Sequence, residues 1–306
     1  MSTAFVSIVL CTYNGEKYLD EQLNSILNQS YVNFEIIISD DASTDNTLMV
    51  LEKYKSDTRI KIFQNTVNLG YIKNFEIALR HITGDFIAFS DQDDIWLPNK
   101  LECLVNNIGD KLLVYSNSEY IDEGGKLLNK KLSDISLMYS GTNSRGFILW
   151  NVVWGHAMLI KKELLSVILP IPTNAPHDIW MAFKATNCGG IQYINKVLTH
   201  YRQHTNTVTH QTFNSAPNKQ SRSLKKRYEE YLKNIEWYTI LQKNAQPKEQ
   251  PFYNVFIQLY KQKEQGFAWQ LFFFMIKHRK DFFLFRNKKM LSQVVEIRKL
   301  CRYEKK

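Results

Sequence analysis

The chain of 306 residues is long enough for one large domain or two modest ones, and its 44% apolar and 23% charged residues are an ordinary globular balance. Its four cysteines, Cys11, Cys103, Cys188 and Cys301, are scattered without metal-ligand spacing, which excludes a disulfide framework or zinc site and fits a reducing compartment. The net charge of +9 is uneven: from Lys219 onward 21 Lys and Arg face 8 Asp and Glu, a balance of +13, whereas residues 1–218 carry −4, so body and tail address different partners.

The N-terminal run lacks a basic flank and a cleavage site, so Phe5–Leu10 reads as a first strand and not a signal peptide. Its nearly continuous apolar character suits a parallel sheet buried on both faces. A turn at Cys11–Gly15 precedes a helical pattern through Leu19, Leu23, Ile26 and Leu27. A second strand, Phe34–Ser39, ends in Asp40 and Asp41, and residues 42–47, rich in helix-capping types, lead into a helix through Leu48, Leu51 and Tyr54. A third strand at Arg59–Phe63, a loop at 65–70 and a helix from Tyr71 to His81 follow. Strands alternating with helices of this size predict βαβ units with right-handed crossovers.

The fourth strand, Phe86–Phe89, delivers Asp91, Asp93 and Asp94 at its carboxyl end before Pro98 opens a new helix. Three like charges side by side repel unless a cation neutralises them, and hard oxygen ligands suit Mg²⁺ or Mn²⁺. The bland alternative is a solvated acidic turn with Asp94 helping to cap the next helix. In parallel sheets ligands bind outside the carboxyl ends of the strands, which here carry Thr12 and Tyr13, Asp40 and Asp41, and the acids at 91–94. Neither a dinucleotide fingerprint nor a P-loop is present, so phosphates need another anchor, and a metal on those acids provides one.

Beyond Asp110 a strand is predicted at Lys111–Ser116, a hairpin-like turn at 121–125 and an irregular segment over 126–150 that covers the site. Residues 152–160 are apolar around Gly155-His156, and Asp178 sits at the first turn of an apolar helix after Pro176, where a lone Asp is ordinarily a cap. A strand-like run, 197–204, ends in Tyr201-Arg202-Gln203-His204; read by itself, His204 is a surface histidine.

Seven stretches in order, spanning residues 5–205, resemble family 2 glycosyltransferases of the GT-A fold: Val6–Gly15, Ile38–Asp45, Asn68–Asn74, Phe89–Pro98, Gly155-His156, His177–Trp180 and Tyr201–His204. The resemblance implies a Rossmann-like, mostly parallel sheet flanked by helices, with a helical C-terminal extension. It divides the chain into a nucleotide-sugar half (1–115), an acceptor half (116–210) and a basic, aromatic extension (211–306). The implied activity is inverting transfer of a sugar from a nucleotide diphosphate donor to an acceptor hydroxyl. By analogy Tyr13 stacks on the base, Thr12 and Asp41 bond to base or ribose, and Lys73 lies near the diphosphate. Asp91 and Asp93 correspond to the Asp-x-Asp motif, with Asp94 in support, and Asp178 aligns with the catalytic base. His204 falls at a second metal or phosphate contact, assisted by Arg202. Within the family the motifs look most like rhamnosyltransferase-type enzymes of bacterial cell-surface polysaccharide, with dTDP-rhamnose or a UDP-hexose as donor and a glycan or lipid-linked acceptor. Ile179 stands where many relatives carry an aromatic residue.

The tail has a helical run from Tyr228 to Leu241 and an apolar block, Phe267–Ile276, followed by cations. It reads either as a helix on an anionic membrane surface or as an extension packing its aromatics inward. The first reading implies a cytoplasmic enzyme held at the inner face of the plasma membrane. No window reaches the length of a spanning helix. The alternatives are a nucleotidyltransferase using the same metal and a nucleic-acid-binding module built on the tail; the acidic crevice argues for no nucleic-acid partner.

Overall fold

The computed structural model describes residues 4–204 and 224–302. Two compact units divide the chain: residues 1–142 with 152–203, and residues 143–151 with 204–306. The division expected between residues 115 and 116 falls inside a strand, and the one expected between 210 and 211 lies outside the described residues.

The first unit is built on one nine-stranded sheet. Strands β1 (Val6–Thr12), β2 (Phe34–Asp40), β3 (Ile60–Gln64) and β4 (Phe86–Ser90) run parallel, with Thr12 opposite Asp40 and Leu10 opposite Ser90. Their carboxyl ends therefore discharge along one edge. β1 and β2 are buried on both faces because helices cover both. Ile8, Leu10, Ile36, Ile38 and Ala88 share a core with α1 (Leu19–Leu27) and α4 (Lys100–Asn107). The alternate residues meet α3 (Tyr71–Ala78), where the Phe75 and Phe89 rings lie 5.9 Å apart. α2 (Thr47–Glu52) completes the βαβ series.

Past β4 the pairing becomes mixed. The spatial order is β3-β2-β1-β4-β8-β6-β9-β5, with β7 on β6, where β5 is Ile95–Trp96, β6 Leu113–Ile121, β7 Leu127–Lys131, β8 Met158–Lys161 and β9 Ile191–Arg202. β8 runs antiparallel to both β4 and β6, whereas β6 and β9 are parallel. Helices α5 (Leu165–Ile168) and α6 (His177–Cys188) lie between β8 and β9. The expected α/β sheet flanked by helices is thus present.

The segment 126–150 departs from expectation. Residues 127–131 form an exposed strand paired with β6, which the absence of apolar alternation hides in the sequence. Residues 143–151 belong to the second unit: Arg145 pairs with Glu249 at 2.7 Å and Asp281 at 3.1 Å, and Phe147 packs against Phe285.

That unit is helical: α7 (Leu224–Asn244), α8 (Gln250–Lys261), α9 (Trp269–Lys277), α10 (Arg279–Phe282) and α11 (Met290–Leu300). Tyr231 stacks on Tyr260 and Tyr238 meets Phe256, so α7 and α8 run antiparallel around an aromatic core continued by Phe274 and Phe282. No described helix is long and apolar enough to cross a membrane.

Candidate active site

The carboxyl edge of β1, β2 and β4 gathers most of the expected residues. Thr12 is buried and its hydroxyl donates to Asp40 at 2.9 Å. Tyr13 next to it is 45% exposed, and Gln92 clamps its backbone by accepting from its N–H and donating to its carbonyl. Asp41 is buried and accepts from the Asn65 amide and from the N–H groups of Leu69 and Gly70, at 2.8–2.9 Å. Its carboxylate therefore shapes the loop at 65–70. Lys73 is half exposed and pairs with Glu76 at 2.8 Å. Two residues on this edge, Asn14 (φ 50°) and Ala42 (φ 60°), hold left-handed backbone that costs a non-glycine residue energy.

The acids after β4 meet a histidine. Asp91, Asp94 and His156 each offer a ligand atom, all within 4.8 Å of one another. His156 Nδ1 lies 3.7 Å from Oδ2 of Asp91 and 3.7 Å from Oδ2 of Asp94. The ring is fixed from behind, since Nε2 is 3.0 Å from the Ser118 hydroxyl and Tyr201 stacks on its face at 4.4 Å. One imidazole nitrogen is thus anchored while the other is aimed at carboxylates, a disposition compatible with holding a metal ion. Asp94 is fully buried; its Oδ1 accepts from the Arg202 N–H at 3.0 Å, but its Oδ2 has no hydrogen-bond partner among the described residues. A buried carboxylate oxygen left unpaired is costly unless something cationic satisfies it.

Charges within the cluster are pushed apart. Burial, then the charges of Asp93 and Asp91, drive the Asp94 carboxyl well above the usual range. Burial also opposes the charge on Asp91, but His156 outweighs it and holds Asp91 below its ordinary value. Lys100 is fully buried, donates to the His156 carbonyl at 2.6 Å and sits 3.6 Å from the centre of the Trp96 ring. Burial lowers its pKa well below the lysine range, against the attraction of Asp94 and Asp91.

Arg202 is buried at the end of β9, and its guanidinium is spent on the protein. It donates to the carbonyls of Asp93 and Glu123, pairs with Glu21 and packs over Tyr18. It thereby pins the acidic loop. Asp93 is outside the three-residue group, as is His204, which begins the chain's return into the second unit.

Asp178 lies in the first turn of α6 and accepts from the Ile179 N–H at 2.7 Å; Pro176 occupies the cap position. Burial raises its pKa, and the charge of Asp91 adds to the rise, so the two carboxylates share one field. His177 before it is 7% exposed, with both ring nitrogens unpaired and its ring stacked 4.3 Å from Phe75. Burial lowers its pKa and keeps it neutral. A side chain at residue 155 would place Cβ 2.6 Å from the His177 ring, so Gly155 is what lets that ring pack.

Residues 7–169 match the family described as Glycosyl transferase family 2. The chain belongs to glycosyltransferase family 2. A relative in Escherichia coli, the UDP-Glc:alpha-D-GlcNAc-diphosphoundecaprenol beta-1,3-glucosyltransferase WfgD, is 39% identical over 204 residues, covering 62% of this chain and 76% of WfgD. Among solved structures, S. aureus TarS 1-349 with UDP-GlcNAc aligns at a TM-score of 0.60 with 20% identity, covering 90% of this chain and 81% of TarS. The mannosyltransferase PcManGT from Pyrobaculum calidifontis, in complex with GDP-Man and Mn²⁺, aligns at 0.57 with 18% identity, covering 85% of this chain and 71% of its own. These likenesses establish the GT-A fold for this glycosyltransferase. In the sequence His156 stands only as a Gly-His pair inside an apolar run, which assigns the histidine no task. Lys100 was visible only as a helix start.

Proposed function

We propose that this family 2 glycosyltransferase transfers a sugar, with inversion, from a nucleoside diphosphate donor to an acceptor hydroxyl in the assembly of bacterial cell-surface polysaccharide. The observation that carries the reading is the unpaired, buried Asp94 Oδ2 facing Asp91 and His156 on the sheet edge where ligands bind. The donor set, two carboxylates and an imidazole, suits Mn²⁺ or Mg²⁺, which when bound would neutralise the departing diphosphate. Asp91, Asp94 and His156 would hold it, with Arg202 and Ser118 fixing their positions. Asp93 and His204, the partners implied by the resemblance, belong in the same mutational series.

Asp178 takes the general-base role. It accepts the acceptor hydroxyl's proton as that oxygen attacks the anomeric carbon, and the glycosidic bond's electrons leave with the diphosphate. Burial raises its proton affinity toward the range a base needs at neutral pH. Tyr13, exposed beside the edge, would stack on a base, with Thr12 and Asp41 shaping that pocket and Lys73 reaching a phosphate. The UDP-Glc donor of WfgD and the UDP-GlcNAc bound to TarS favour a UDP-hexose over dTDP-rhamnose. WfgD's diphosphoundecaprenol acceptor favours a lipid-linked one, and with it action at the cytoplasmic face of the membrane.

The test is thermal unfolding with UDP or dTDP, each with and without Mn²⁺. UDP with Mn²⁺ is expected to stabilise most; no metal-dependent rise with either nucleotide defeats the reading. Release of intact nucleoside diphosphate during turnover separates glycosyl from nucleotidyl transfer, which cleaves within the phosphates.

A further inference from the structure

Two helices of the second unit carry the same outward pattern. On α9, Trp269, Phe273 and Lys277 follow one another at four-residue steps, and all three are exposed, the two rings by 62% and 63%. On α11, Leu291 (81% exposed), Val295 and Lys299 repeat the spacing. Four-residue steps place side chains on one helical stripe. The opposite sides are buried through Leu271, Met275 and Ile297, so the core is already served without the outer stripes. The Ala268 N–H donates to the Cys301 carbonyl at 3.0 Å, which ties the start of α9 to the end of α11. The Trp269 ring continues into Phe267, Phe272 and Phe273 at 4.6–6.5 Å, making one aromatic patch.

The charge around this patch is one-sided. Residues 267–302 hold nine Lys and Arg but only Asp281 and Glu296 as acids. Both acids are engaged within the unit, by Arg145 and by Lys288. Lys277, Lys280, Lys289, Arg298 and Lys299 are exposed and form no ion pair with any described residue. Isolated exposed apolar residues are ordinary, but paired apolar stripes each ending in an unpaired cation are not.

We propose that the outer stripes of α9 and α11 form a docking surface for an anionic lipid bilayer. The aromatic and aliphatic side chains enter the headgroup boundary and the lysines meet lipid phosphates. Neither helix is a spanning element, so the attachment is peripheral. The surface deepens the reading of a lipid-linked acceptor, since both reactants then share one membrane plane, but it rests on exposure and charge and not on turnover.

The experiment is flotation of the full chain with vesicles of phosphatidylcholine alone and with one third phosphatidylglycerol. Binding is expected only to the anionic vesicles and to weaken with salt. Trp269→Ala with Phe273→Ala should reduce it at least about tenfold, given the apolar area withdrawn from water. Lys277→Glu with Lys280→Glu should do likewise. Brominated lipid should quench fluorescence in the wild type, and less in Trp269→Phe, which still floats. All these side chains are exposed, so unchanged thermal unfolding confirms that the variants fold. Flotation equal in wild type and the aromatic variant overturns the proposal. So does absence of flotation on anionic vesicles, a wild-type dimer that the aromatic variant dissolves, or preferential binding to oligonucleotides. Flotation without any stabilisation by UDP and Mn²⁺ would leave the docking surface standing and remove the glycosyltransfer reading.

Discussion

The two ends of the same parallel strands bury carboxylates with opposite consequences. At the amino end Glu35 is buried and accepts four hydrogen bonds, from the Ser7 hydroxyl, the Lys61 ammonium, and the Thr83 N–H and hydroxyl, at 2.6–2.8 Å. At the carboxyl end Asp94 is buried as deeply, yet one of its oxygens has no hydrogen-bond partner among the described residues. Burial opposes the charge on both; hydrogen bonds overcome it at Glu35, whose pKa is lowered, and like charges reinforce it at Asp94, whose pKa is raised. Left-handed backbone at Asn14 and Ala42 also falls on the carboxyl side. One edge satisfies its buried carboxylate with its own side chains, and the other leaves an oxygen of its buried carboxylate without a hydrogen bond.

The strongest way to break this contrast is at Asp178. Replacing it with Asn should lower kcat by about 10²–10⁴-fold, the usual worth of a general base, with donor affinity unchanged. Steady-state kinetics beside calorimetric titration of UDP measures both, and an equal loss in affinity would move Asp178 from chemistry to binding. Next comes Asp94→Asn, which should weaken the Mn²⁺ response by at least about 10-fold, since losing even a residue that only orients a ligand costs about 10–100-fold. Without metal the same variant should be no less stable than the parent, and up to ~1 kcal/mol more so, because a buried carboxylate repelled by Asp93 and Asp91 becomes a neutral amide. Asp93→Ala and His204→Ala, set beside His156→Ala, decide which acid and which histidine belong to the ion.

How far these differences were legible depended on whether they were local. The apolar runs of β1, β2 and β4 and the acids that end them are contiguous, so pattern alone located the edge. Asp178 after Pro176 reads locally as an ordinary helix cap, and only the family resemblance singles it out. His156 was not locatable, since it reaches Asp91 and Asp94 only through the antiparallel insertion of β8 between β4 and β6, a pairing no local period announces. Arg202 looked like a ligand-binding cation because its four polar partners come from three distant segments. Residues 127–131 escaped notice as a strand because every one is exposed and no apolar alternation marks them.

The amino edge is probed by Glu35→Gln, which removes a buried carboxylate while keeping its shape. Loss of its charge-assisted bonds with Lys61 and Thr83 should cost about 1–3 kcal/mol in denaturant unfolding. The pH dependence has a definite sign. Because the folded pKa is depressed below the ordinary 4.5, the stabilisation is fully present above that value and is lost as pH falls through the folded pKa. The variant should therefore differ most from the parent at neutral pH and converge with it in acid. A constant gap across that range would mean that Glu35 is not held ionised by its partners.

The smallest effect is expected at Ala42, where the chain leaves β2 through φ 60° immediately after Asp41. Glycine takes this conformation without the Cβ clash but loses more freedom on folding, so Ala42→Gly should stabilise by only about 0.5 kcal/mol. Chemical denaturation with an unchanged m-value reads it. The informative quantity is the accompanying UDP affinity. Ala42 stiffens the exit that carries Asp41, and Asp41 in turn fixes Leu69 and Gly70 of the loop before Lys73. A looser exit should weaken UDP binding a few-fold even as the fold gains stability. If stability and affinity rise together, the left-handed turn is incidental, and the carboxyl edge owes its character to its charges alone.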